Sequence, residues 1–163
     1  MGKAKQGSTG TPATVALTRA GVAFEARSYG HDPAAPSYGL EAAEALGVPP
    51  ERVFKTLLVQ GEAGLAVGIV PVDRQLDLKA VAAALGAKRV AMADPAAAER
   101  STGYVVGGIS PIGQKRALPT VLDDSALAHA TVLVSGGRRG LDLELAPADL
   151  VAVTRATTAA IAR

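Results

Sequence analysis

The chain has no cysteine among its 163 residues. Disulfides, thiolate-ligated metals and a cysteine nucleophile are therefore excluded. Tryptophan is also absent, and aromatics make up only 3% of the chain: Phe24, Tyr29, Tyr38, Phe54 and Tyr104. The core must then be built mainly from Ala, Val and Leu. Histidine occurs twice, at positions 31 and 129. His31 beside Asp32 is too sparse a set to hold a metal, and His129 lies among small helix-type residues that suit a structural place. No Gly-x-Ser-x-Gly elbow is present, so the usual serine-hydrolase machinery is missing. No apolar run approaches the roughly 20 residues of a membrane span, and no signal peptide is evident. These absences predict a soluble cytoplasmic protein without membrane contact. A strong charge of one sign is lacking as well. The net charge of +2 permits a grip on a nucleic-acid end but not the broad basic face that coating duplex DNA requires.

What is present is a globular composition, 48% apolar and 20% charged, with a length that suits one domain. The small, polar, basic start predicts a flexible tail over residues 1–11 and a domain over 12–163. Thr11-Pro12 reads as a helix cap and first-turn proline, with Gly21 as the stop. Val22 to Tyr29 alternates like a half-buried strand. Ser37 or Tyr38 opens a second helix that Gly47 closes. "VFKTLLV" (53–59) and "LAVGIV" (65–70) read as a hairpin. Asp77 caps a third helix stopped by Gly86, and "KRVAMA" is a strand. Asp94-Pro95 starts a short helix to about Ser101. Tyr104 onward reads as a strand entering a glycine-rich loop, then "PTVLDD" as a strand, "SALAHA" as a short helix, and "TVLVSGG" and "LDLEL" as strands. The last 18 residues read as one or two closing helices. About seven strands mixed with helices, not strictly alternating, predict an α/β fold with α+β character around a mixed sheet.

Three stretches carry possible chemistry. In "VFKTLLV" the strand period puts Lys55 on one face with Val53, Leu57 and Val59. An unpaired buried ammonium is costly. For a lysine taken at random, an edge-strand side chain whose stem packs while its tip reaches water is the commoner case. Thr56 beside it interrupts the other face too, as a strand lining a pocket would. "GGISPIGQKR" (107–116) approaches a phosphate-binding loop but lacks its Gly-Lys-Ser/Thr ending, and Pro111 removes a donor. It is either a plain turn or a set of exposed N–H groups for an anion or a carbonyl oxygen. "SGGRRGLD" (135–142) ends a strand in glycines that admit close backbone approach, with Arg138 and Arg139 either binding phosphate or sitting on an ordinary solvated turn.

Together "SYGHDP", "VFKTLLV", "PVDRQLDLKAVAAALGAKRVAMADP", "RSTGYVVGGISPIGQKR" and "VSGGRRGLDLEL" resemble the bacterial YbaK/EbsC family, and within it the Cys-tRNA(Pro) deacylase branch. The similarity runs in order from about Pro12 to the C-terminus. It implies a barrel-like central sheet surrounded by helices, the fold of the editing domain inserted in many bacterial prolyl-tRNA synthetases. It implies a free-standing deacylase that removes cysteine from mischarged tRNA(Pro), without cofactor or metal, the substrate's own thiol attacking the ester. Lys55, Tyr29 and Asp142 match the family's catalytic positions. Tyr38, Thr56, Gly107, Gly108, Ser110, Pro111, Ser135, Gly136 and Gly137 match its substrate-binding positions. The implied partners are the aminoacyl-tRNA acceptor end and prolyl-tRNA synthetase, in a complex with tRNA. A related editing factor for alanyl- or seryl-tRNA, or a non-catalytic module that binds tRNA ends or a synthetase, are the competing expectations.

Overall fold

A computed structural model describes residues 10–163; the expected tail, apart from Gly10 and Thr11, lies outside the described residues. Helix α1 spans Pro12–Ala20 and is capped reciprocally: the Thr11 hydroxyl accepts from the Thr14 amide while Thr14 Oγ1 accepts from the Thr11 amide. Gly21 ends it in the left-handed conformation, which glycine adopts without a Cβ penalty. Strand β1 (Glu25–Ser28) leads through a loop to α2 (Tyr38–Leu46), capped by Ser37. A 3₁₀ turn (Pro50–Arg52) enters the hairpin β2 (Phe54–Gly61) and β3 (Gly64–Pro71). Helix α3 (Leu78–Leu85), β4 (Val90–Met92) and α4 (Pro95–Thr102) follow, the helices capped by Asp77 and Asp94. After a long loop come β5 (Thr120–Asp123), a 3₁₀ segment (Asp124–Ala128), the hairpin β6 (Val132–Arg138) and β7 (Leu141–Leu145), α5 (Pro147–Thr154) and β8 (Thr157–Ala159).

The eight strands form two sheets. One is three-stranded and antiparallel, ordered β1-β7-β6; the other is five-stranded and mixed, ordered β4-β2-β3-β5-β8. A single parallel bridge, Val53 to Leu133, links them. The expectation of one barrel-like sheet of about seven strands is therefore corrected. The β4 and β8 edges stay open, and two glycines in β6 produce a register shift between Ser135 and Arg138, where an unpaired residue bends a strand and ends its ladder.

Three apolar clusters hold the layers together. The largest lies between the sheets and includes Leu58, Ile69, Leu122, Val134, Leu141 and Leu143. A second packs α3 onto the five-stranded sheet through Val59, Val70, Val81, Val121 and Ile161. The third seats α2 on the junction of the sheets through Ala42, Ala43, Val53, Val72 and Leu133. With so few aromatics, close approach replaces bulk. A Cβ on Gly39 would stand 2.3 Å from Val72 Cγ1, so α2 can sit this low only with glycine there.

Two further element readings differ from the structure. Tyr104 does not start a strand. Its ring is buried, its hydroxyl donates to the Ile112 carbonyl at 2.7 Å, and left-handed glycines at 107 and 113 coil the segment into turns. The short helix read at "SALAHA" is present, as 3₁₀ helix over Asp124–Ala128. The closing helix stops at Arg155, which takes a positive φ of 56°, and Thr157–Ala159 become a strand parallel to β5. A distant partner strand there overrides the local alanine content.

Candidate active site

A cavity of about 400 Å³ opens where the two sheets meet α2 and the 104–113 loop. Strand β2 forms its floor. The Val53 carbonyl accepts from Val72, and the Leu58 carbonyl accepts from Ala93 beyond β4. Backbone groups alternate sides along a strand, so odd-numbered residues of β2 face β3 and even-numbered ones face the other edge. Strand β4 covers that edge only from Val59 to Gly61. The edge is consequently bare at Thr56. The cavity abuts it there, which explains why Lys55 and Thr56, on opposite faces of the strand, both line it.

Lys55 is half-buried and, among the described residues, has no carboxylate within 4.0 Å and no hydrogen-bond acceptor. Burial lowers its pKa, and the more distant Asp73 charge opposes that shift. An ammonium in this position favours an incoming anion. Thr56 Oγ1 is buried and likewise without a partner. Across the cavity stand Tyr29, just after β1, and Asp142 on β7. Asp142 is only 5% exposed. Burial pushes its carboxyl up to about 7, against the pull of Arg27, its cross-strand neighbour. Burial and the Asp142 charge raise Tyr29 to about 12. At neutral pH the wall thus presents a cation, a neutral phenol and a carboxyl poised to take or release a proton.

The Asp142 shift has a thermodynamic consequence. Its folded pKa lies above the unfolded value near 4, so between these pH values the folded chain holds a proton the unfolded chain has released. The contribution of Asp142 to stability therefore falls as pH rises from about 4 to about 7, by up to roughly 4 kcal/mol, and is constant beyond. Asp142→Asn should remove this slope. Denaturant midpoints of the variant and the parent should diverge across that window and stay parallel above it; parallel curves throughout would contradict the assignment.

The mouth of the cavity is framed by a stack. The Arg139 guanidinium lies 4.8 Å over the Tyr38 ring, and the His31 ring stands 5.7 Å from it on a tilt. Arg139 also donates to the Val106 carbonyl, and Glu41 holds His31 at 2.9 Å. Gly107 fits beneath this stack with φ of 89°, where a Cβ would meet Arg139 Nε at 2.7 Å and the Tyr38 ring at 2.9 Å. Arg139 was a phosphate-or-turn residue by sequence; it pins the loop to Tyr38. Gly39→Ala is expected to cost about 1–3 kcal/mol by overpacking. It should also displace Tyr38 next to it, so a chemical-denaturation midpoint and the Michaelis constant should shift together.

Of the twelve site residues read from the sequence, Lys55, Tyr29, Asp142, Tyr38, Thr56, Gly107 and Ser135 line the cavity. The other five stand behind its wall. The Gly108 amide is already bonded to the Val105 carbonyl, and its Cα packs against the Arg138 backbone, leaving no room for a Cβ. Ser110 is fully buried, its hydroxyl accepting from the Ile112 amide, and Pro111 is buried beside it. Gly136 and Gly137 make the β6 bulge; the Gly136 carbonyl accepts from Thr11, and the Gly137 amide donates to Ser135 Oγ. Sequence reading missed the apolar wall, Met92, Pro95, Ala98 and Ile109. Only a 50% exposed methionine at the end of an edge strand carries a signal, and exposure is invisible in a sequence. Among the described residues no group of three or more His, Asp or Glu is arranged to hold a metal, and no helix is long and apolar enough to cross a membrane.

Residues 32–153 match the profile of the aminoacyl-tRNA editing domain. EbsC of Enterococcus faecalis, which bears the name of a Cys-tRNA(Pro)/Cys-tRNA(Cys) deacylase, is 42% identical over 120 residues, 73% of each chain. A proline–tRNA ligase of Acidithiobacillus ferrooxidans is 34% identical over 103 residues, 63% of this chain but 18% of the ligase. A crystal structure described as a trans-editing enzyme for prolyl-tRNA synthetase superposes with a TM-score of 0.83 at 27% identity, covering 93% of this chain and 95% of that one. The cavity, its lone ammonium and these matches agree, and the chain belongs to the aminoacyl-tRNA editing domain family.

Proposed function

We propose that this protein is a free-standing editing deacylase that hydrolyses the ester of cysteine wrongly joined to tRNA(Pro), with the domain spanning residues 12–163 and acting in the cytoplasm. The observation that carries this reading is the cavity's inventory. Among the described residues its lining offers a cation, a buried carboxyl, a phenol and a bare strand edge, but no cysteine or histidine and no serine held by a base; the nearest histidine, His31, stands at the mouth and is held by Glu41. Such a wall orients and stabilises charge; the nucleophile comes from elsewhere. A cysteinyl ester brings its own. A few per cent of its thiol is ionised at neutral pH, and the thiolate is strongly nucleophilic. The substrate sulfur attacks its own carbonyl carbon, the C–O bond to the terminal ribose breaks, and the ribose oxygen leaves with the proton. The cyclic thioester then opens with water to free cysteine.

Lys55 stabilises the oxyanion or the adjoining phosphate. Thr56 and Tyr38 shape the amino-acid end of the cavity. The Gly107 amide, which has no partner among the described residues, joins Lys55 at the oxyanion, and Asp142 with Tyr29 holds the amino group or relays the proton. Gly108, Ser110, Pro111, Gly136 and Gly137 set the walls that carry these groups.

Little in the cavity distinguishes one tRNA from another, so selection for tRNA(Pro) falls to prolyl-tRNA synthetase in a shared complex. Without synthetase, Cys-tRNA(Pro) and Cys-tRNA(Cys) should be deacylated at rates within a few-fold; strong unaided discrimination would refute this division of labour. The basic test of the function is hydrolysis of Cys-tRNA(Pro) by the purified protein against a no-enzyme control, with alanyl and seryl esters alongside.

A further inference from the structure

A second, shallow cavity of about 410 Å³ is floored by Leu78, Ala82 and Val90 and rimmed by Lys79, Lys88 and Arg89. All three cations are exposed, and none has a carboxylate within 4.0 Å among the described residues. The Glu62 carboxylate accepts from the Lys88 backbone amide at 3.3 Å and makes no ion pair with the Lys88 ammonium. Strand β4 runs from this groove, where Val90 lines the floor, to the active cavity. Lys88 and Arg89 precede this strand, and Met92, at its far end, lines the active cavity. From Lys88 to Met92 an extended chain covers about 13 Å, a span of a few nucleotides.

Strand β4 is also an edge. Among the described residues it pairs only with β2, and Ala93 bonds inward to Leu58. By alternation Val90 and Met92 turn their backbone groups outward, unpaired. Met92, half exposed, presents an apolar surface at the lip where a base could rest.

We propose that this basic groove and the outer edge of β4 form the track for the tRNA acceptor strand, with Lys79, Lys88 and Arg89 binding its phosphates as the terminal aminoacyl-adenosine enters the cavity. The inference rests on the editing reading above for the occupant. It follows from charge complementarity with a polyanion and from strand β4, which runs from the groove to the cavity. Cations beside an open edge strand have another use, which is to block edge-to-edge pairing with a second copy; the test separates the two.

The test is direct binding of uncharged tRNA(Pro) across a salt series, compared with the triple variant Lys79→Gln, Lys88→Gln, Arg89→Gln. A control triple, Arg19→Gln, Arg100→Gln, Lys115→Gln, removes the same charge elsewhere. Each phosphate contact contributes about 0.7–0.9 to the slope of log affinity against log salt. The groove variant should lose about 2–3 from that slope and bind at least about tenfold more weakly at low salt, with its melting temperature and monomer size unchanged; the control should keep the parent slope. An unchanged slope in the groove variant, an equal loss in the control, or self-association of the groove variant with its slope intact would overturn the proposal. Should the triple variant fail to fold, Lys88→Gln alone is expected to lower the slope by about one. Turnover of Cys-tRNA(Pro) by the parent protein reports separately on the deacylase reading.

Discussion

Replacing Lys55 with alanine is expected to slow single-turnover deacylation of Cys-tRNA(Pro) by a factor of about 10²–10³, the usual loss when one preorganised group facing developing charge is removed. The fold should survive. Lys55 makes no ion pair or hydrogen bond among the described residues, and its charged form is penalised by burial. Removing it deletes a cost along with some packing of its stem. Its backbone pairs with Val70 of β3 whatever the side chain. Circular dichroism and the melting temperature should therefore stay close to those of the parent while turnover collapses. Near-parental turnover in a folded variant would return Lys55 to the commoner role of an edge-strand lysine whose tip merely reaches water.

The helices were legible because their signals are local. Thr11 with Gly21, Ser37 with Gly47, and Asp77 with Gly86 bracket α1, α2 and α3 at the positions the structure shows. A cap bonds within three residues, so it can be read three residues at a time. Pairing that spans the chain left no such trace. Strand β8 exists because β5 lies beside it, and the division into two sheets depends on one bridge between Val53 and Leu133. The 104–113 segment looked like a strand because Tyr104, Val105 and Val106 favour one, but left-handed glycines and a buried tyrosine hydroxyl turn it back on itself.

The site divided the same way. Period and cost made Lys55 conspicuous, yet only resemblance to a family joined it to Tyr29 and Asp142, which arrive from a different sheet. That same resemblance could not separate residues facing the cavity from those holding its wall. Ser135 points in, while its neighbours Gly136 and Gly137 serve the bulge that aims it. The reason Lys55 and Thr56 both line the cavity was also out of reach. It depends on where β4 stops, and that is a fact about pairing.

The second large effect concerns the substrate's side chain. Because the cavity supplies no nucleophile, a seryl ester of tRNA(Pro), which differs from the cysteinyl ester in one atom, should be deacylated at least about a hundredfold more slowly. A hydroxyl is essentially un-ionised at neutral pH and needs a general base to attack, assistance worth roughly 10²–10⁴. The Tyr29 phenol is held neutral, with a pKa of about 12. Asp142, at about 7, can take a proton, so the predicted gap rests on the thiol's far greater acidity and nucleophilicity. The thiol needs far less help. An alanyl ester, with neither group, should be slower still unless water is activated by a route the cavity does not display.

The most direct measurement is a single-turnover comparison of cysteinyl- and seryl-tRNA(Pro) at one enzyme concentration and pH 7. Rapid loss of the cysteinyl ester and a seryl rate at least about a hundredfold lower are expected, consistent with a nucleophile that resides in the substrate. Matching rates on the two esters would contradict it, and would mean that the protein activates water or a group of its own.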